Sequence, residues 1–147
     1  MIVIVYIASM FLFAGQETSS ANFTNKFLAK LLPQLSRAEL KSFVLILRKV
    51  GHVLAYGVLM YLMYNACHKT KSTRRIALPL AAVVTFLVAM ADEMYQMRLV
   101  HRTGAWKDVA IDSGGIVFVS LVIWLRETIR KKKTSKPLEK AGDEDVN

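Results

Sequence analysis

The chain has a single cysteine, Cys67, among its 147 residues. One thiol can form no internal disulfide and no thiolate metal cluster within the chain. Cys67 closes an apolar run beside His68 and reads as a small buried hydrophobe. Neither G-x-S-x-G nor H-E-x-x-H occurs, which removes the nucleophile-elbow hydrolases and the helix-borne zinc proteases. Residues 1–14 carry no charge, so they lack the basic n-region of a secretory leader, and no convincing small-x-small cleavage site follows them. The net charge of +9 comes without a stacking platform or a nucleic-acid fold pattern, so nucleic acid is not an expected partner. No segment repeats.

What is present is apolar and clustered. Hydrophobic residues make up 54% of the chain and gather in four blocks, 1–14, 51–67, 76–90 and 109–125. That clustering favours one small integral membrane domain over a soluble globule. The first block would make a helix of only about 21 Å, short of a hydrocarbon core of about 30 Å, and is read as a short first span. After a polar loop, 15–21, Phe23, Phe27, Leu28, Leu31, Leu32 and Leu35 alternate with Lys26 and Lys30, as in an interfacial amphipathic segment ending near Pro33. Ser36 and Glu39 form a capping-box signature that starts a new helix. Leu40, Phe43, Val44 and Leu47 then follow the i, i+3, i+4, i+7 rule, and the helix flows into the second span, 51–67.

A basic loop without acid, HKTKSTRR at 68–75, leads to the third span, 76–90, where Pro79 sits in the first turn. The fourth span, 109–125, is bounded by Trp106 and Trp124, residues suited to the two interfaces. The tail from 126 is polar and mixed in charge, and its last stretch is expected to be disordered. The expected fold is therefore all-α: an integral membrane four-helix bundle with an amphipathic interfacial helix before the second span. A transmembrane domain would cover 1–130 and a polar cytoplasmic tail 131–147.

With both termini cytoplasmic, the inner segments hold eleven Lys/Arg and the outer ones nine. The difference is small, but the inner bases abut the helix ends, as the positive-inside rule asks. Anionic lipid headgroups are the natural partners of such flanking bases, those of 130–133 above all. The outer bases, on the disfavoured side, imply that they hold something anionic.

Residues 91–115 concentrate the polar chemistry between two apolar spans, where ionisable groups are costly unless they pair or line a wet cavity. Arg48, His52 and Tyr56 are spaced i, i+4, i+8, with Lys49 beside them. Asp92 and Gln96 are i, i+4, and Glu93 and Gln96 i, i+3. Asp108, Asp112 and Gly115 share a face, and Gly115 permits a close neighbour. The topology brings all three sets to the outer ends of their helices.

Arg48-Lys49-x-x-His52-x-x-x-Tyr56, then Asp92-Glu93-x-x-Gln96, then Arg102-x-x-x-x-x-Asp108-x-x-x-Asp112-x-x-Gly115 resembles the VanZ-like family of bacterial membrane proteins. The likeness covers nearly the whole chain up to the tail. It implies a multi-pass protein of the bacterial plasma (inner) membrane, linked to teicoplanin-type glycopeptide resistance, and it brings no settled reaction. Two positions depart from the family's pattern. Ala14-Gly15-Gln16 stands where Ser-Ser-Gln is frequent, so Gln16 carries over and the hydroxyls do not. Lys107 stands where a small hydroxyl residue is common.

Two classes of function follow. In the first, a non-enzymatic envelope protein binds an anionic lipid or lipid-linked cell-wall precursor headgroup. Arg48, Lys49 and Arg102 would meet the phosphate, held by Asp92, Glu93 and Asp108. In the second, a small membrane-embedded hydrolase or transferase uses His52 as general base, with Asp92, Glu93 and Asp108 binding a divalent metal or acting as acid. The reactive groups expected are His52, Glu93 and Asp92. The ligand contacts expected are Gln16, Arg48, Lys49, Tyr56, Gln96, Arg102, Asp108 and Asp112. The plainer alternatives are a hydrogen-bonded bundle histidine at 52, a structural ion network among the acids and bases, and a core aromatic at Tyr56. No cofactor is identified.

Reporter fusions test the topology. Fusions after Lys71 and at the C-terminus are expected to report the cytoplasm, and a cysteine label near Arg102 the outside. The reverse pattern at any of these sites overturns the assignment.

Overall fold

A computed structural model of the chain describes residues 1–16, 21–99 and 106–144, with 134–144 described by backbone alone. The described residues form five α-helices and no strand. Helix α1 is Ile2–Gly15, α2 Ala21–Leu31, α3 Arg37–Lys69, α4 Ala77–Gln96 and α5 Trp106–Glu144. The basic loop after α3 closes with a 3-10 turn at Arg74–Ile76, and the Thr73 hydroxyl donates to the Cys67 carbonyl at 2.7 Å.

The capping box at the start of α3 is formed. The Glu39 N–H donates to Ser36 Oγ at 3.3 Å, and the Ser36 N–H donates back to Glu39 Oε2 at 2.9 Å. From there the amphipathic segment and the second apolar block run as one helix of 33 residues. At 1.5 Å per residue that is about 50 Å, well beyond the thickness of a hydrocarbon core. Helix α2, which buries no residue of its own, lies against α3.

Three helical stretches, Arg37–Lys69, Arg74–Gln96 and Trp106–Lys133, are long and apolar enough to cross a membrane. At 14 residues, α1 is apolar but shorter than a span. The outward faces of the long helices carry Leu54, Val58, Val83, Phe86, Leu87, Val117, Phe118 and Leu121, all well exposed. So much exposed apolar surface is foreign to a soluble monomer and natural to a lipid-facing one. Exposed Trp106 and Trp124 stand about 27 Å apart along α5, close to the thickness of the hydrocarbon core.

One expectation is corrected. The polar tail reads as disordered at its end, yet α5 continues to Glu144. Extending a formed helix avoids the cost of nucleation, and the Lys, Arg and Glu of this stretch are good helix formers.

The three long helices pack on one another, and α1 lies against α3 and α4. The Tyr6 hydroxyl of α1 donates to the Ala55 carbonyl of α3 at 3.1 Å, and the Phe11 ring meets Tyr95 of α4 at 5.7 Å. Between the long helices α4 presents Ala77, Ala81, Thr85 and Ala89, a buried stripe of small residues at i, i+4 spacing. The same face then turns polar with Asp92, Glu93 and Gln96, also buried. Small side chains bring the neighbouring helices close, and the acids are carried into the gap along with them.

The tightest crossing is between α3 and α5. A Cβ on Gly115 would fall 2.1 Å from the Val53 carbonyl oxygen and 3.2 Å from the Gly57 nitrogen. Gly57 is hemmed in from the other side, its Cβ position being 3.3 Å from Val119 Cγ2. The obstacle at Gly115 is backbone, which cannot rotate aside. Gly115→Ala is therefore expected to cost about 3 kcal/mol or more, at the upper end for overpacking. Thermal unfolding in detergent checks this; a wild-type melting temperature would refute the close crossing.

Candidate functional site

One turn before this crossing on α3, and one turn before it on α5, stand His52 and Asp112. His52 Nδ1 is 3.7 Å from Asp112 Oδ1. The histidine is a quarter exposed, whereas Asp112 is 1% exposed. Glu93 of α4 is equally buried at 1%. Each of the three offers a ligand atom, and these atoms all lie within 4.8 Å of one another. Among the described residues, neither carboxylate oxygen of Asp112 accepts a hydrogen bond.

Asp92 faces a different set of partners. The Tyr56 hydroxyl donates to its Oδ2 at 2.8 Å, and Gln96 Nε2 donates to the same oxygen at 2.8 Å. Its Oδ1 is buried and meets no donor among the described residues. The His52 ring stacks over Tyr56 with centroids 6.3 Å apart, so one stripe of α3 both presents His52 and braces Asp92.

Two cavities meet here. A polar one of about 60 Å³ is lined by Arg48, Lys49, His52, Glu93, Gln96, Asp108 and Asp112, with Leu45 and Ile111 at its edge. That is room for an ion with water or for a phosphate-sized group, since one water takes about 30 Å³ of liquid. The second, about 300 Å³ and more open, is walled chiefly by Met10, Phe13 and Ala14 of α1, Thr24 of α2, and Leu47, Gly51 and Ala55 of α3. Arg48, His52 and Gln96 line both.

Of the residues singled out from sequence, Arg48, Lys49, His52, Glu93, Gln96, Asp108 and Asp112 are thus brought to one pocket. Tyr56 is fully buried behind it as Asp92's donor, lining neither cavity. Gln16 caps α1, its N–H donating to the Phe13 carbonyl at 3.1 Å, and it too lines neither cavity. Arg102 lies outside the described residues. The sequence offers Asp92, Glu93 and Asp108 either as ligands of a divalent metal or as an acid beside His52. The trio with metal-ligand spacing among the described residues is His52, Glu93 and Asp112.

Sequence reasoning missed two things. One is the contribution of α1 and α2 to the apolar chamber, which no periodicity within a single helix announces. The other is a polar cluster at the opposite end of the long helices. There the Tyr64 hydroxyl donates to Glu127 Oε1 and contacts His68 Nδ1 at 3.3 Å, with His68 4.0 Å from Glu127. Its signal was present: Tyr64 and His68 are one turn apart, and Glu127 is an acid set among bases.

The fold and site together define a small helical membrane protein with buried carboxylates and a histidine at one end of its long helices. Residues 1–127 match the VanZ/LLP1 family, and the chain belongs to that family. Comparison with curated proteins and with solved structures finds no match.

Tyr56→Phe isolates the brace on Asp92. With the hydroxyl gone, a carboxylate 3% exposed keeps Gln96 as its one described donor. Losing a donor to a buried acceptor costs about 1–3 kcal/mol. A matching fall in melting temperature is the expected result, and an unchanged one would show that the bond contributes nothing.

Proposed function

We propose that this VanZ-type membrane protein has four spans with both termini cytoplasmic, α1 serving as the short first span. Its outer-face pocket binds the phosphate of an anionic membrane lipid or lipid-linked cell-wall precursor. The observation that carries the reading is the pairing of the two cavities. A small polar pocket and a larger, mainly apolar chamber share Arg48, His52 and Gln96. An amphiphile has the same division: its phosphate suits the first and its hydrocarbon the second.

Arg48 stands at the junction and offers a planar, permanently charged fork for phosphate oxygens. Lys49, which also lines the pocket, adds a second positive charge. Asp108 orients the bases, while Asp92, braced by Tyr56 and Gln96, keeps the α4 wall polar. Through such binding the protein would act in the bacterial envelope and contribute to teicoplanin-type glycopeptide resistance. A second reading, a small membrane-embedded hydrolase or transferase acting on the same headgroup, is favoured by one observation: His52 lies beside two buried carboxylates. In that reading His52 takes a proton and a carboxylate orients it.

Retention of lipids by the purified protein tests the binding. Phosphatidylglycerol and phosphatidylcholine with the same acyl chains are offered together in detergent, and the bound lipid is read by native mass spectrometry. The anionic lipid is expected to be preferred. Arg48→Gln is expected to reduce that preference by about 10-fold or more, the effect of losing a charge-assisted hydrogen bond worth about 1.5–3 kcal/mol. Equal retention of the two lipids, or a preference indifferent to Arg48→Gln, would refute the proposal.

A further inference from the structure

The geometry points to a divalent-cation site held by His52, Glu93 and Asp112, one ligand from each of the three long helices. Three features of the trio converge on this. The first is spacing. A cation with ligand distances of about 2.0–2.2 Å holds neighbouring donor atoms roughly 3–3.6 Å apart. His52 Nδ1 and Asp112 Oδ1, at 3.7 Å, are too far apart for a hydrogen bond and close to such an edge. The full set spreads no wider than 4.8 Å, so side-chain rotations of about 1 Å bring all three onto one ion.

The second feature is the state of Asp112. It is 1% exposed, it lines the polar pocket, and neither of its oxygens meets a hydrogen-bond donor among the described residues. To stay charged, a carboxylate so placed needs a compensating positive charge, and a bound cation supplies one without a further donor. The third is charge density. Glu93 and Asp112 are both at least nine-tenths buried and line the small pocket, while Asp92, equally buried, lines the larger chamber. Asp92, which has a hydroxyl and an amide turned towards it, is the acid left out of the trio.

The donor set also selects the ion. One imidazole with two carboxylates suits Zn²⁺ or Mn²⁺ better than Ca²⁺ or Mg²⁺, which favour all-oxygen shells. The remaining pocket wall presents Arg48 and Lys49, so an anion entering it would meet a metal ion and a guanidinium together. The cation site stands on its own ligands and does not require the lipid reading.

The full-length protein in detergent, stripped with EDTA and then given Zn²⁺ or Mn²⁺ alone, tests the site. The wild type is expected to retain one equivalent by elemental analysis. It is also expected to gain about 5 °C or more in melting temperature at a hundredfold excess over Kd. Asp112→Asn, an isosteric change that removes the charge, is expected to weaken metal binding by roughly 100-fold or more. Its metal-free melting temperature should equal or exceed the wild type's. Should that variant fail to fold, His52→Gln at the partly exposed position gives the same comparison. Retention well below one equivalent with no thermal shift in the wild type overturns the proposal. Undiminished binding in a folded variant overturns it too. Lipid retention is measured separately in EDTA, so either result can fail without the other.

Discussion

The contact on which the site depends is the touching of two backbones. Gly115 on α5 lies so close to Val53 and Gly57 on α3 that no side chain fits between them. Two helices in that relation can neither slide nor rotate without colliding, so their register is fixed at one point. His52 and Asp112 lie next to that point on either side. The chemistry of the pocket is thus set by the absence of a single Cβ. A well-packed apolar seam would hold the helices together as firmly, but would leave His52 and Asp112 farther apart than any shared ion or proton could bridge.

The acids of α4 reach the same place by another route. The stripe Ala77, Ala81, Thr85, Ala89 has nothing bulky to offer, and its value lies in what it allows. Small residues let α4 sink between its neighbours, and the acids one turn further on sink with it. Burial of Asp92 and Glu93 is therefore a by-product of efficient packing earlier in the helix. Burial has consequences that differ between the two. Asp92 has its hydroxyl and amide donors in place, and Glu93 is turned into the group that also contains His52 and Asp112.

Much of this was legible in the sequence. The apolar blocks announce the long helices, Ser36 and Glu39 announce where α3 begins, and Gly115 announces a close neighbour. The i, i+4 stripes place Arg48, His52 and Tyr56 on one face, and the pocket contains the first two while the third stands behind it. What periodicity does not contain is the rotation of one helix against another. That rotation decides that Tyr56 serves Asp92 while Asp112 faces His52, and it brings His52, Glu93 and Asp112 within 4.8 Å of one another. The tail was misjudged for a different reason: its polar composition was weighed without the apolar helix that nucleates it.

The two polar clusters lie at opposite ends of the long helices, and the layer between them is mainly apolar. Leu59, Met60, Ala81 and Ala89 fill it, and Thr85 turns its hydroxyl to the sulfur of Met60 at 4.0 Å. No acid, base or histidine among the described residues bridges Asp92 to Tyr64 there. The two polar ends are thus held apart by side chains that offer charge no resting place, and the chemistry of each end stands separate from that of the other.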